Sequence, residues 1–379
     1  MHKQNLIDKI KKIATVCLSF LTFATAHTQD YTGFTLEESR AFHKQFSLAN
    51  WHDGGELTRY VFLNMPEFWE HSVINRSGSV IDLPLALREN VEDFVTRTQL
   101  GEMPLKDYVR SSTVDGVIIL HKGRIVFEDY PRMFPYDKHL YASVSKTYVS
   151  TLIAILEDRK LIDVLKPIDA YFPELKGSDW EGIQVLDILD MSTGIDCSWV
   201  VGEETNSCVQ QLWDAYGWPS PENALDDPLD QFAAMKAHRP SGEIFEYADI
   251  NTVILTLLVE RITELKFTDF LEREIWQRMG AESDAAMLTG AYGRAATPLG
   301  VSSTLRDMAR FGLLFTPTGR KGSNKVLSDA YLQKIQRGGR PEIIAATEHL
   351  PLDVFDDPKS KEHLVDGELP RHNTYQWDM

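Results

Sequence analysis

The stretch Asp-Ile-Asn-Thr-Val-Ile-Leu-Thr-Leu-Leu-Val, residues 249–259, constrains the fold more than any other part of the sequence. Its apolar residues are distributed all round a helix instead of along one stripe, which indicates a helix that is buried on every side. Such a helix needs a substantial surrounding body. The chain has 379 residues, of which 43% are hydrophobic, enough for one large domain or two ordinary ones.

Other elements have local signatures. The sequence VIIL–HKGR–IVFEDY predicts a β-hairpin with its turn at Lys122-Gly123-Arg124. Apolar residues at helical spacing predict a helix over 143–161, and VLDILDMST predicts a second, shorter one. A loop and an amphipathic helix are expected in TPLGVSSTLRDMARFGLLF. Strands at the outside and a mostly helical middle indicate an α+β fold with a helical insertion.

The charge of the chain excludes one class of partner. The formal net charge is -17, and outside the first twelve residues there is no long basic cluster. An acidic surface repels phosphate backbones, so we expect no nucleic-acid partner. The sequence also lacks His-Glu-x-x-His and nucleotide-binding glycine motifs, so we expect no metal and no cofactor.

The first 26 residues have the layout of a secretory signal peptide. MHKQNLIDKIKK is basic, IATVCLSFLTFATA is apolar, and Ala24-Thr25-Ala26 offers small residues for cleavage. The apolar run is too short for a comfortable membrane span, although a buried N-terminal helix is the alternative. We therefore expect a periplasmic or secreted protein with no membrane span after cleavage.

Two cysteines remain after that cleavage, Cys197 and Cys208. They lie in one loop-like stretch, and an oxidising compartment would allow a disulfide between them. Two free buried thiols are the alternative.

The tetrapeptide Ser143-Val144-Ser145-Lys146 is a candidate nucleophile and base. A serine hydroxyl needs a base to take its proton, and Lys three residues later on a helix lies on the same face. Burial or a nearby cation would lower the pKa of Lys146 and leave a neutral amine as base. Ser145 has no Lys at the matching offset. The alternative is a capping serine beside a solvated lysine.

Tyr247 is the candidate for a third group that passes the proton to the leaving atom. It stands in a turn before the buried helix, and a neighbouring ammonium would reduce the cost of forming its phenolate. A packed loop aromatic is the alternative. Asp249 is predicted to N-cap the helix, with a functional role as the second interpretation.

In this order, Ser143-Val144-Ser145-Lys146, Met191-Ser192-Thr193-Gly194 and Tyr247-Ala248-Asp249 resemble the serine β-lactamase and penicillin-binding-protein superfamily. The branch most resembled contains class C β-lactamases and their esterase and amide-hydrolase relatives. The segment 50–80 is similar to the start of 6-aminohexanoate-dimer hydrolases. The resemblance extends over residues 45–379.

The resemblance implies an antiparallel sheet flanked by helices, with an all-helical region beside it. Ser143 would attack a carbonyl, Lys146 and Tyr247 would move protons, and water would release the acyl-enzyme. The Ser143 N–H would form half of an oxyanion hole. The implied organisation is a signal peptide (1–26), an N-terminal extension (27–110) and a hydrolase domain (111–379).

The sequence departs from the resembled pattern at two places. Asp249 stands where β-lactam-recognising members often have a substrate-binding Asn, so a β-lactam is not the first substrate expected. The family also has a Lys-Thr-Gly-like or His-x-Gly-like strand near its C terminus, followed by a helix. This sequence ends at Met379, about where that strand is expected, so we expect a C-terminally shortened hydrolase.

The substrate stays open between small esters, linear amides, D-amino-acid peptides and β-lactams. Trp199, Trp213 and Trp218 could line a pocket for apolar acyl groups or belong to the core. A non-catalytic cell-envelope protein that binds a peptide or glycan is the alternative to an enzyme. The sequence does not indicate an oligomeric state.

Overall fold

The computed structural model describes residues 31–197, 207–218, 222, 224–225, 227–319, 325–346 and 373–378. The predicted signal peptide (1–26) and Trp199 lie outside these residues.

The central sheet has four antiparallel strands in the order β1-β7-β8-β6. The strands are β1 (His71–Ile74), β6 (His139–Leu140), β7 (Ala285–Leu288) and β8 (Val301–Ser303). In the register, Ala286 lies opposite Ser302, and Leu140 lies opposite Ser302 on the other side of β8. The segment before residue 111 therefore contributes an edge strand, β1, to the same sheet as the later strands. Strand β8 was expected to be loop.

Three two-stranded ribbons accompany this sheet: β2 (Val95–Thr98) with β3 (Gly101–Pro104), β4 (Val117–His121) with β5 (Arg124–Asp129), and β9 (Asn373–Thr374) with β10 (Trp377–Asp378). The predicted hairpin is confirmed by β4 and β5. Its turn places Lys122 and Gly123 at φ 53° and 75°, a left-handed conformation that glycine adopts readily.

The α-helices are α1 (Leu36–Gln45), α2 (Gly55–Leu63), α3 (Glu89–Glu92), α4 (Leu105–Ser111), α5 (Lys146–Asp158), α6 (Val185–Leu189), α7 (Ser207–Ala215), α8 (Leu229–Ala234), α9 (Asp249–Thr263), α10 (Phe267–Leu271), α11 (Leu305–Leu313), α12 (Asp329–Arg337) and α13 (Pro341–Ala345). Short 3₁₀ turns occur at Met65–Glu67, Ala142–Ser145, Ile168–Ala170, Pro173–Leu175 and Ala291–Gly293, and a π-helical turn at Glu272–Trp276.

Helix α9 is the buried helix that the sequence predicts. Its residues 249–256 are all buried, and it packs against α5, which is buried from residue 146 to 156. The two helices form the centre of the main hydrophobic core, together with apolar residues of β7 and β8. Because Lys146 begins α5 and Asp249 begins α9, this packing brings two ionisable residues into the core.

Cys197 and Cys208 are joined by a disulfide, which links the segment after α6 to helix α7. The two residues are 11 positions apart, and a covalent link over a loop of this size stabilises a fold by about 3 kcal/mol through the unfolded chain.

Within the described residues, no helix has the length and apolar character of a membrane span. The same residues contain no group of three or more His, Cys, Asp or Glu arranged to hold a metal ion.

Candidate active site

Ser143 lies in the 3₁₀ turn Ala142–Ser145, between strand β6 and helix α5. The helix predicted from residue 143 thus begins three residues later, at Lys146. Ala142 has φ 47°, a left-handed conformation that is unfavourable for a residue with a Cβ atom. Strain of this kind persists where the surrounding structure fixes it, and here it directly precedes the solvent-exposed Ser143.

Ser145 has a different role from Ser143. Its side chain is buried, and its Oγ accepts a hydrogen bond of 3.0 Å from the backbone N–H of Val301. This bond ties the 3₁₀ turn to strand β8, and a second bond of 2.8 Å from the Tyr141 N–H to the Val301 carbonyl does the same. Of the two serines, only Ser143 is exposed to solvent.

Lys146 is the centre of the candidate site. Its Nζ donates hydrogen bonds to Ser143 Oγ at 3.1 Å and to the Pro298 carbonyl at 2.8 Å. It also pairs with Asp249 Oδ1 at 2.8 Å. Lys146 is 3% exposed, so the bonds are shielded from water.

Tyr247 completes the group. Its hydroxyl is hydrogen-bonded to both Lys146 and Ser143, and the Lys146 Nζ lies 4.9 Å from the centre of its ring. The ring packs against the apolar cluster of Met191, Phe245 and Ile343. The structure thus brings Ser143, Lys146 and Tyr247 together, and their catalytic roles stay predictions.

Asp249 is the first residue of α9, and the prediction that it caps this helix is wrong. The N-cap residue is Ala248, which has no side chain able to accept the capping bond. The Asp249 carboxylate is 5% exposed and points to Lys146 instead. A negative charge in the first turn of a helix is also favoured by the helix dipole. Its predicted role in binding substrate is not tested by this arrangement.

The segment Met191-Ser192-Thr193-Gly194 holds the loop that carries Tyr247. The Met191 carbonyl accepts the Glu246 N–H at 2.7 Å, and Thr193 Oγ1 donates to Asn251 Oδ1 at 3.2 Å. Gly194 has φ 71°, and a Cβ atom there would lie 2.3 Å from the Arg239 carbonyl oxygen. This close approach requires glycine, and it positions the loop before α9.

The protonation of Lys146 differs from the expectation. Burial by itself disfavours the ammonium form, but the charge of Asp249, then Tyr247, outweighs burial and raises the pKa of Lys146 above its ordinary value. The predicted lowering of this pKa is wrong, because its cause, the Asp249 carboxylate, comes from a distant part of the chain. Lys146 is therefore protonated in the resting site.

Tyr247 is likewise a neutral phenol at rest. Burial raises its pKa, and this effect exceeds the opposing effect of the Lys146 ammonium group. Lys146 stabilises the Tyr247 phenolate as expected, but this effect on the pKa is smaller than the effect of burial.

The Pro298 carbonyl is a site contact that sequence reasoning missed. Every residue has a carbonyl group, so no residue type marks this position. It fixes Lys146 from the loop before β8, whereas Ser143 and Asp249 contact Lys146 from the 3₁₀ turn and from α9.

Residues 106–360 match the family model named Beta-lactamase. The chain belongs to the beta-lactamase family. It is 28% identical over 299 residues to the 6-aminohexanoate-dimer hydrolase of Paenarthrobacter ureafaciens, covering 78% of this chain and 74% of that protein.

Two solved structures share the fold. One, assigned as a candidate 6-aminohexanoate-dimer hydrolase from Bacillus anthracis, has a TM-score of 0.69 at 22% identity and covers 87% of this chain and 81% of its own. The other, a candidate beta-lactamase from Bacteroides dorei, has a TM-score of 0.51 at 15% identity and covers 72% and 76%. The predicted family, the α+β fold with an antiparallel sheet and flanking helices, and the prediction of a serine hydrolase are confirmed.

Proposed function

We propose that this protein hydrolyses a linear amide or small ester through an acyl-enzyme formed on Ser143. The observation that carries the proposal is the contact between an exposed serine hydroxyl and the buried Lys146 Nζ, 3.1 Å apart, with the Tyr247 hydroxyl bonded to both. A nucleophile held by a proton-transfer group, itself oriented by a third group, is the arrangement that acyl transfer requires. Ser143 also precedes the N terminus of α5, where developing negative charge is favoured.

In this mechanism Ser143 Oγ attacks the substrate carbonyl and loses its proton towards Lys146. Tyr247 gives a proton to the leaving amine or alcohol, because its hydroxyl lies against both Ser143 and Lys146. Water then attacks the acyl-enzyme along the reverse proton path. The Ser143 N–H is the proposed first oxyanion donor.

For the substrate we propose a linear amide of the 6-aminohexanoate-oligomer type. The support is the similarity to a protein named 6-aminohexanoate-dimer hydrolase over most of both chains. A β-lactamase proper is the second candidate, supported by the family match. Asp249 favours the first, since a carboxylate paired with Lys146 lacks the N–H group with which an Asn side chain donates to an amide carbonyl.

We also propose that the protein is exported after cleavage at Ala26 and works in the periplasm or outside the cell. The basic, apolar and small-residue layout of residues 1–26 supports this, as does the disulfide, since disulfides persist in oxidising compartments. Intact mass under non-reducing conditions tests it. A mature protein that begins at Met1 would contradict the export proposal.

The function is tested with three substrates: 6-aminohexanoate linear dimer, p-nitrophenyl butyrate and a chromogenic cephalosporin. We expect turnover of the first two, and loss of several orders of magnitude in kcat/KM in Ser143→Ala. A fluorophosphonate probe should label Ser143 in the wild-type protein, identified by peptide mass.

Two results would contradict this function. If the folded wild-type protein neither turns over any of the three substrates nor takes up the probe, the proposed acyl-enzyme on Ser143 is wrong. If only the cephalosporin is hydrolysed, the protein is a β-lactamase and the amide proposal is wrong.

A further inference from the structure

The protonation of the site poses a problem for the mechanism, because its two expected bases both carry protons at rest. Lys146 is an ammonium group held by Asp249, and Tyr247 is a neutral phenol. Ser143 must nevertheless lose a proton when it attacks. Among the side chains that contact Lys146 in the described part of the chain, only Asp249 is a carboxylate, and so only Asp249 has room for that proton.

We propose that Lys146 and Asp249 act as one unit, in which Lys146 passes a proton to Asp249 and then accepts the proton of the Ser143 hydroxyl. This inference rests on the proposed function. It makes Asp249 a positioning residue that acts through Lys146, in place of a contact for substrate.

The geometry suits this transfer. The Lys146 Nζ lies 2.8 Å from Asp249 Oδ1 and 3.1 Å from Ser143 Oγ, so one nitrogen contacts both the group that gives the proton and the group that stores it. The Pro298 carbonyl, which accepts a bond from Nζ at 2.8 Å, fixes the nitrogen between them. Neither transfer requires a side chain to move.

Burial lowers the free-energy cost of converting the ion pair into its neutral form. Lys146 is 3% and Asp249 5% exposed, and a low-dielectric environment penalises an ammonium–carboxylate pair relative to a neutral amine and a carboxylic acid. The ion pair is still the resting state, because the charge of Asp249 keeps the pKa of Lys146 raised. The attack of Ser143 on the substrate then proceeds from the minor, neutral form of the Lys146–Asp249 pair.

The protons balance through the acylation half of the reaction. The Ser143 O–H bond breaks as Oγ bonds to the acyl carbon; that proton goes to Lys146, which has given one to Asp249. The leaving group departs with the electron pair of its bond to carbon and takes the Tyr247 proton. Tyr247 regains a proton from Lys146, and Lys146 regains the stored proton from Asp249.

Other titratable groups face this pair from two sides. Tyr247 precedes α9, and Tyr216, which follows α7, interacts with the charge of Asp249. Burial raises the pKa of each tyrosine, so both are neutral over the acidic and neutral range. Neither tyrosine therefore produces the acid limb of the pH profile.

The experiment compares the acid limb of kcat/KM for p-nitrophenyl butyrate in the wild-type protein and in Asp249→Asn. Without the carboxylate, the acceptor must be the Lys146 amine or the Tyr247 phenolate, whose pKa values are ordinarily near 10; burial lowers the pKa of a lysine and raises that of a tyrosine. We expect the acid limb of Asp249→Asn to lie about two or more pH units higher than that of the wild type, and its activity to recover as pH rises.

Two further variants make the test specific. Asp249→Glu keeps a carboxylate, so its acid limb should stay at the wild-type position even if the rate falls. Asp307→Asn makes the same chemical change in a buried ion pair away from the site, and it should lower the thermal midpoint without moving the limb. If Asp249→Asn does not fold, the limb of Asp249→Glu decides: a limb shifted upward with the carboxylate still present contradicts the proposal.

Two results distinguish a failure of this inference from a failure of the proposed function. An unmoved limb in folded Asp249→Asn, with Ser143→Ala inactive, overturns the role of Asp249 and leaves the proposed function intact. Turnover that survives Ser143→Ala overturns the proposed function, and this inference with it.

Discussion

Two buried ion pairs of this protein, Lys146–Asp249 and Arg310–Asp307, are similar in burial and length. Both have a distance of 2.8 Å, and Arg310 and Asp307 are 3% and 0% exposed, close to the values of Lys146 and Asp249. Burial and ion-pair distance therefore do not distinguish the two pairs. The groups that surround them do.

The Arg310–Asp307 pair is bonded to groups on other segments of the fold. Arg310 also donates to the Ile81 carbonyl and to Glu282, and Asp307 accepts backbone N–H groups of Glu282 and Ser283. These bonds join helix α11 to the loop before β7 and to Ile81 in the segment after β1. Within the described residues, this pair connects structural elements and makes no hydrogen bond to an exposed hydroxyl.

The Lys146–Asp249 pair contacts such a hydroxyl. Lys146 donates one hydrogen bond to Ser143, which is exposed. The nearby Tyr247 hydroxyl is hydrogen-bonded to both Lys146 and Ser143. If the proposed function is correct, the difference predicts that a buried ion pair takes part in chemistry only where one partner also contacts an exposed hydroxyl.

The largest effect is expected when the cation of the candidate site is removed. Lys146→Met should lower kcat/KM for p-nitrophenyl butyrate by about four orders of magnitude or more, because Ser143 loses its proton acceptor. Some stability should be lost as well, since Asp249 is left buried without its partner.

Arg310→Met is the matched control, because it removes the cation of the other pair. It should lower the free energy of unfolding by about 3 kcal/mol or more while the folded protein keeps its turnover. Urea unfolding and ester kinetics measure both quantities in the two variants. Equal losses of turnover in Lys146→Met and Arg310→Met would show that the comparison is wrong.

A smaller loss is expected for Tyr247→Phe. The ring keeps its packing against Met191, Phe245 and Ile343, whereas the leaving group loses its proton donor. We expect kcat/KM for an amide substrate to fall by about 10²–10⁴-fold, with the thermal midpoint nearly unchanged. An ester with a good leaving group such as nitrophenolate needs less protonation, so its turnover should fall less. Equal activity of Tyr247→Phe and wild type on the amide would remove Tyr247 from the mechanism.

The parts of the fold that were predicted are those with a local signature. The hairpin of β4 and β5 is specified by a turn at Lys122-Gly123, and the buried helix α9 by apolar residues on every face. The order of strands in the central sheet has no such signature, because β1 pairs with β7 across some two hundred residues. Neither the edge position of β1 nor the strand β8 could be predicted from local pattern.

The same limit applies to the site. The spacing of Ser143 and Lys146 fixes their proximity within one turn of chain, so sequence could predict that contact. The protonation of Lys146 depends on Asp249, whose position is set by the packing of α9 against α5. The sequence predicted Asp249 as a helix cap or a substrate contact and not as the partner of Lys146, so the predicted direction of the Lys146 pKa shift was wrong.

The smallest effect is expected at Ser145, two residues from Ser143. Its Oγ accepts the Val301 N–H inside the protein, so Ser145→Ala leaves a buried strand N–H without its acceptor. This should lower the free energy of unfolding by about 1–3 kcal/mol, and turnover of the folded protein should change only several-fold, since the 3₁₀ turn loses one of its ties to β8.

Ser143→Ala is the matched variant: the same hydroxyl is deleted at an exposed position, so stability should be kept and turnover lost. Urea unfolding and ester kinetics on the two proteins measure this reversal directly. If Ser145→Ala instead loses turnover as completely as Ser143→Ala at equal stability, the division between a reactive and a structural serine within one turn of chain is wrong.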